Sequence, residues 1–283
     1  HGLHLNGIML ISSVLNFLTL SYDSGNDLPY PMLLPSFTAT AWYHKRLAPE
    51  LQTDLQQTLR EAEQFAATDY TLALMKGSAI SPEERQQTIR QLSRYLGLSE
   101  RFLHDHDMRV NTEQFCKELL RDQSLTVGRL DSRFTGQEKD NAADYPERDP
   151  SYSAILGPYT GAFYDYVRGE LKFEKDLPYE IIKRLGKWQM EEGNYTNVSD
   201  ALRNGFFLNP SLRVLVACGL YDLATPYFAA EYTINHLSLP PNLAERITTT
   251  YYPSGHMMYL HLPSLEKLSA DLKEFIAASL PQR

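Results

Sequence analysis

The chain has 283 residues, 43% of them hydrophobic, enough for one large domain or for a core domain carrying an insertion. Its 27 basic side chains face 35 acidic ones, a net charge of −8 with no basic run or stripe, which argues against nucleic acid and anionic membrane as partners. Two cysteines, Cys116 and Cys218, permit one disulfide but neither a disulfide scaffold nor a cysteine-based zinc site, and Cys218 in RVLVACG reads as a small buried hydrophobe.

A short loop, HGLHLNG, leads into the apolar run IMLISSVLNFLTL. Those 13 residues include Ser12, Ser13 and Asn16, too few and too polar to span a bilayer, and no basic segment precedes them as a signal peptide requires. The run predicts a strand at 7–15 of a parallel sheet covered on both faces, so the chain is expected to begin inside a longer protein. The turn residues and prolines of DSGNDLPYPMLLP end that strand. From about 36 to 205 the pattern turns helical. Residues 50–67 place Leu51, Leu55, Leu59, Ala62 and Phe65 near a 3.6-residue period. Ser81-Pro82-Glu83-Glu84 is a capping-box pattern with proline at the first helical position, opening a helix that closes at Gly97. Asn111-Thr112-Glu113-Gln114 opens another. Between 122 and 150 the chain is polar and rich in Asp, Gly and Arg, and a long irregular segment is expected there.

After 205 the strand pattern returns. SLRVLVACG (211–219) is a buried strand, ATPYFAAEYTINHL a helix, ERITTTYY (245–252) a β-branched strand, and SLEKLSADLKEFIAASL a closing amphipathic helix. Strand, helix, strand, helix at this spacing predicts a right-handed parallel unit. Chemistry in such sheets gathers where strands end and helices begin. Asp222 lies just past the first of these strands, and His256, in YYPSGHMMYLHLPS, just past the second. Acid then histidine, on successive strand ends, is the tail of an α/β-hydrolase triad. In such a triad an imidazole takes the proton of a serine hydroxyl while a carboxylate fixes its tautomer and stabilises its charged form. The rival reading of Asp222 is a cap for the helix that begins near Ala224.

VLVACGLYDLATPYFAAEYT followed by YYPSGHMMYLHLPS resembles the C-terminal part of the serine carboxypeptidase family, peptidase family S10, and its bacterial branch in particular. Gly255-His256-Met257 matches that family's Gly-His-Met around its catalytic histidine, with Pro263 near the proline that follows, although the usual Pro-x-Asp is replaced here by MYLHLP. HGLHLNGIMLISSVLN resembles the helix exit and strand after the family's nucleophile elbow, and VGRLDSRFTG (127–136) is a third similar stretch. The resemblance implies an α/β-hydrolase core, mostly parallel, formed by residues 1–24 and 206–283, with a large and mainly helical cap inserted at 25–205. It makes Asp222 the triad acid, His256 the general base and Met257 a wall of the leaving-group pocket. It implies removal of C-terminal residues from a peptide with a free C-terminus, without metal or cofactor, and a periplasmic or secreted protein.

No Gly-x-Ser-x-Gly elbow occurs in the 283 residues; Gly97-Leu98-Ser99-Glu100-Arg101 lacks the second glycine, and Ser99 is better read as a helix N-cap. The nucleophile is therefore expected roughly 15–20 residues upstream of His1, one helix away. Two further readings stay open: another capped α/β-hydrolase (an aminopeptidase, esterase or acyltransferase), or a non-catalytic binding or scaffold module of the same fold. Rival sites are weaker. His104 to Asp107 (HDHD) has the residue types of a metal site but no familiar spacing, and reads as a solvated helix end. DSRFTG is either a turn tied by an Asp131–Arg133 ion pair or a loop over the active site. Tyr152, Tyr159, Tyr164 and Tyr166 suggest core packing before a substrate platform. Asn194 and Asn197 sit in glycosylation-type triplets, and His236 and His261 read as loop or surface histidines.

Overall fold

The computed structural model describes residues 4–175, 177 and 195–280. It is a mixed α/β structure built on a small parallel sheet. Strand β1 (Gly7–Ile11) opens the chain. Helices α1 (Pro29–Tyr43), α2 (Leu55–Phe65), α3 (Thr71–Lys76), α4 (Pro82–Leu96), α5 (Glu100–Asp105) and α6 (Thr112–Glu118) follow. A short hairpin, β2 (Leu125–Val127) with β3 (Thr135–Gln137), leads to α7 (Pro150–Tyr164) and α8 (Ser199–Leu208). The chain closes with β4 (Arg213–Gly219), α9 (Tyr227–Asn235), α10 (Pro241–Ala244), β5 (Ile247–Tyr252) and α11 (Leu262–Ser279).

β4 is the centre of the three-stranded sheet, with β1 and β5 parallel on either side. Val214, Val216 and Cys218 join a buried cluster with Ala39, Phe206 and Tyr227. Across the sheet Ala217 packs with Tyr252, Met258 and Leu268. Both faces are covered, which explains why β4 reads as an unbroken apolar run. Both cysteines are buried as free thiols. The helices α1 to α6 share a third cluster, in which the rings of Phe37 and Phe115 stack at 3.9 Å.

Local signals account for many helix ends. Ser81 Oγ accepts from the N–H of Glu84 and Gly97 ends α4 in the left-handed region at φ 66°. Ser99 caps α5 through the N–H of Phe102, and Asn111 with Gln114 forms a complete capping box on α6.

Three expectations are corrected. The first strand ends at Ile11, not at residue 15, because Ser12 turns the chain at φ 47° while its N–H still reaches Ala217 O at 2.9 Å. The proline-rich stretch after it is the start of α1, not an extended turn. Pro29 and Pro31 occupy the first turn, where no N–H is needed, and Pro35 is tolerated inside a helix buried nearly all round. The supposedly irregular 122–150 region contains the β2–β3 hairpin. No helix among the described residues is long and apolar enough to cross a membrane.

Candidate active site

Asp222 lies three positions beyond the end of β4, and His256 four beyond the end of β5. Two glycines let those turns nest. A Cβ on Gly219 would stand 2.5 Å from Ser254 O and closer still to Gly255 O, and one on Gly255 would stand 2.5 Å from Asp131 Cα.

The nesting brings Asp222 Oδ2 to 2.8 Å from His256 Nδ1. Asp222 is fully buried, and every bond it accepts fixes it. Oδ1 takes the N–H groups of Ala224 (2.8 Å) and Thr225 (2.9 Å), while Oδ2 takes the Thr225 hydroxyl at 2.7 Å as well as the imidazole. The capping reading and the triad reading thus describe the same side chain. The backbone bonds hold the carboxylate, and its remaining lone pair is aimed at the histidine. Thr225 Oγ1 also lies 3.2 Å from His256 Nδ1, so it braces both partners. Sequence reasoning passed over Thr225; its one available signal was a hydroxyl three residues after the acid.

With the carboxylate on Nδ1, the imidazole carries its proton there and leaves Nε2 as the acceptor. Nε2 has no hydrogen-bond partner among the described residues, and His256, 31% exposed, lines a cavity of about 700 Å³. The cavity walls include Tyr22, Glu113, Arg129, Leu130 and Thr225. Burial pulls the His256 pKa down and the Arg129 charge adds to that pull. The hydrogen bond and charge of Asp222 outweigh both and leave it above the ordinary histidine value.

Met257 is half-buried beside His256 in sequence, yet it is not among the residues lining this cavity; Met258, its neighbour, goes into the core. Asp131 and Arg133 form a 2.7 Å ion pair that lies against the His256 turn. The tyrosine reading needs correction: Tyr159 and Tyr166 are exposed on α7 and the segment after it, so they are not core. In HDHD, His104 and Asp105 are exposed neighbours on the last turn of α5 and Asp107 pairs with Arg85 and Arg109. No group of three or more His, Cys, Asp or Glu side chains among the described residues is placed to hold a metal. His236 Nδ1 meets Tyr232 O and His261 Nδ1 meets Ser264 Oγ. Asn197 bridges to Asn16, and Asn194 lies outside the described residues. The chain matches no family model, no curated protein and no solved structure.

Proposed function

We propose that this chain supplies the base and acid of a serine carboxypeptidase-type hydrolase of α/β-hydrolase architecture. Residues 1–24 and 206–283 then belong to the hydrolase core and 25–205 to its helical cap. The observation that carries the reading is the 2.8 Å contact between Asp222 and His256 Nδ1, made from consecutive parallel strand ends, with the imidazole at the wall of a cavity. Chain order supports it, since in α/β-hydrolases the acid and the histidine follow the serine in that sequence. Gly255-His256-Met257 supports the carboxypeptidase branch, although Met257 itself does not line the cavity.

In this reading the serine comes from sequence upstream of residue 1. His256 Nε2 removes the serine proton as its oxygen bonds to the scissile carbonyl carbon. The same proton passes to the departing amine as the C–N bond breaks, leaving an acyl-enzyme. Water, deprotonated by His256 in turn, then releases the shortened peptide. Asp222 keeps the proton-bearing edge of the ring turned inward and stabilises the imidazolium while it exists.

The test uses the chain extended through its upstream coding sequence and a peptide with either a free or an amidated C-terminus, followed by mass spectrometry. Loss of single residues from the free C-terminus, abolished by His256→Ala and strongly reduced by Asp222→Asn, is the expected result. Internal cleavage or trimming from the N-terminus would remove the carboxypeptidase assignment and leave a hydrolase. An extended chain whose elbow serine is replaced, and which cleaves nothing, would favour the non-catalytic module.

A further inference from the structure

The turn that carries His256 is gripped from outside the sheet by an ion pair whose acid is buried and whose arginine is partly buried. Arg133 and Asp131 are 15% and 8% exposed. Arg133 Nε donates to Asp131 Oδ1 at 2.9 Å and Nη2 to Oδ2 at 2.7 Å, a two-pronged fork. Its other bonds go to the residues just before the histidine: Nη1 to Pro253 O at 2.8 Å and Nη2 to Ser254 Oγ at 3.2 Å. The carboxylate continues the series, with Oδ2 accepting the N–H of Gly255 at 3.1 Å. The N–H of His256 itself donates to Leu130 O at 2.6 Å. From the opposite side Ser12 Oγ donates to His256 O at 2.6 Å.

Successive residues from Pro253 to His256 are therefore tied to the 130–133 segment, 120 or more positions away in the chain. Stability alone does not call for this. An ion pair is a weak net stabiliser whether it is exposed or buried, and apolar side chains of similar volume often do as well in the interior. A planar guanidinium with its donors in a rigid fork does something apolar packing cannot: it fixes the direction of each group it bonds.

We propose that Asp131 and Arg133 are positioning residues, which set the height and tilt of the His256 turn so that Nδ1 meets Asp222 and the other ring edge faces the cavity. The proposal rests on the triad reading, because only a histidine with a directed proton transfer needs such control. A misplacement of about 1 Å at a catalytic group costs on the order of a hundredfold in rate.

The experiment follows the His256 ring by proton–nitrogen NMR in the 283-residue chain. The chains compared are the parent, Arg133→Lys, Arg133→Met and Asp222→Asn. Lysine keeps a charge beside Asp131, but one ammonium cannot span both the carboxylate and Pro253 O. Both Arg133 variants are expected to exchange the Nδ1 proton about tenfold or more faster than the parent, as a weakened Asp222 bond allows. Their His256 titration should also move toward the ordinary value, with the smaller change in Arg133→Lys. In the extended protein kcat should fall on the order of a hundredfold with KM little changed. A purely structural role would lower the melting temperature of both variants and leave exchange and titration of His256 where they were, and that result overturns the proposal. If Arg133→Met does not fold, Arg133→Lys alone decides the matter by the same two readouts. If Asp222→Asn moves the titration and neither Arg133 variant does, positioning fails and the triad stands. If Asp222→Asn moves nothing either, the triad reading itself has failed and this inference goes with it.

Discussion

Replacing Gly255 by alanine should displace the histidine turn without touching a charge. Gly255 does not sit at positive φ; its requirement is space. An added Cβ would stand 2.5 Å from both Asp131 Cα and Asp131 Cβ, and nearer still to the Leu130 carbonyl oxygen. Carbon atoms pack at about 3.5–4.0 Å, so the turn must retreat by roughly 1 Å, against backbone that cannot rotate aside. That retreat stretches two bonds the turn depends on, His256 N–H to Leu130 O (2.6 Å) and Gly255 N–H to Asp131 Oδ2 (3.1 Å). Overpacking of this kind costs about 1–3 kcal/mol, which for a chain of this size lowers Tm by roughly 2–10 °C. Thermal melts followed by circular dichroism measure that fall, and the His256 ring resonances report whether the Asp222 contact has loosened. Gly157→Ala is the control: its Cβ would meet nothing within 4 Å on α7, and it should be neutral or stabilise by up to about 1 kcal/mol. A Gly255→Ala protein that melts with the parent and keeps its His256 signals would refute the claim that the 130–133 segment fixes this turn.

Asp222→Asn should lower the His256 pKa, because the carboxylate's bond and charge are what hold it up against burial and Arg129. The sign for stability follows: a histidine raised in the fold stabilises fully below its unfolded value of about 6.5, and that contribution is lost as pH rises through the higher folded value. The parent's advantage over Asp222→Asn in denaturant melts should therefore be larger near pH 6 than near pH 9, and an advantage that grows with pH would contradict the assignment. Lys117 and Glu138, 0% and 2% exposed, pair at 3.0 Å, so Lys117→Met alone should cost about 3–5 kcal/mol in urea melts, and most of that loss should be recovered in Lys117→Met/Glu138→Leu. Phe115→Ala removes the ring stacked on Phe37 and should cost about 3–5 kcal/mol by the same assay. Burial pushes the Cys218 thiol up to about 12 and raises Cys116 further, so neither should react with a thiol reagent until the chain unfolds.

What the sequence determined by itself was whatever short-range chemistry decides. Ser81, Ser99 and Asn111 cap their helices by bonds to an N–H three residues on, so their meaning is complete within one turn of chain. The unbroken apolar run at β4 announced a strand covered on both faces, because burial on both faces leaves little room for polar side chains; the run at β1 read the same way, yet β1 is an edge strand on which Met9 stands exposed. The positions of Asp222 and His256 followed from the same strand ends. Only the tertiary structure decided what crosses the chain. Pro35 within α1 is a helix breaker by local rules and persists because nearly every side of that helix is packed. The tyrosines at 152, 159, 164 and 166 read as core packing, yet Tyr159 and Tyr166 stand exposed, since residue type states a preference for burial and not whether a partner surface meets it. The segment DSRFTG was open in sequence between a turn tied by an Asp131–Arg133 ion pair and a loop over the active site, and its grip on the histidine turn was not legible there. A salt bridge two residues long is local, but its bonds to Pro253, Ser254 and Gly255 exist only where folding lays that segment across the end of β5.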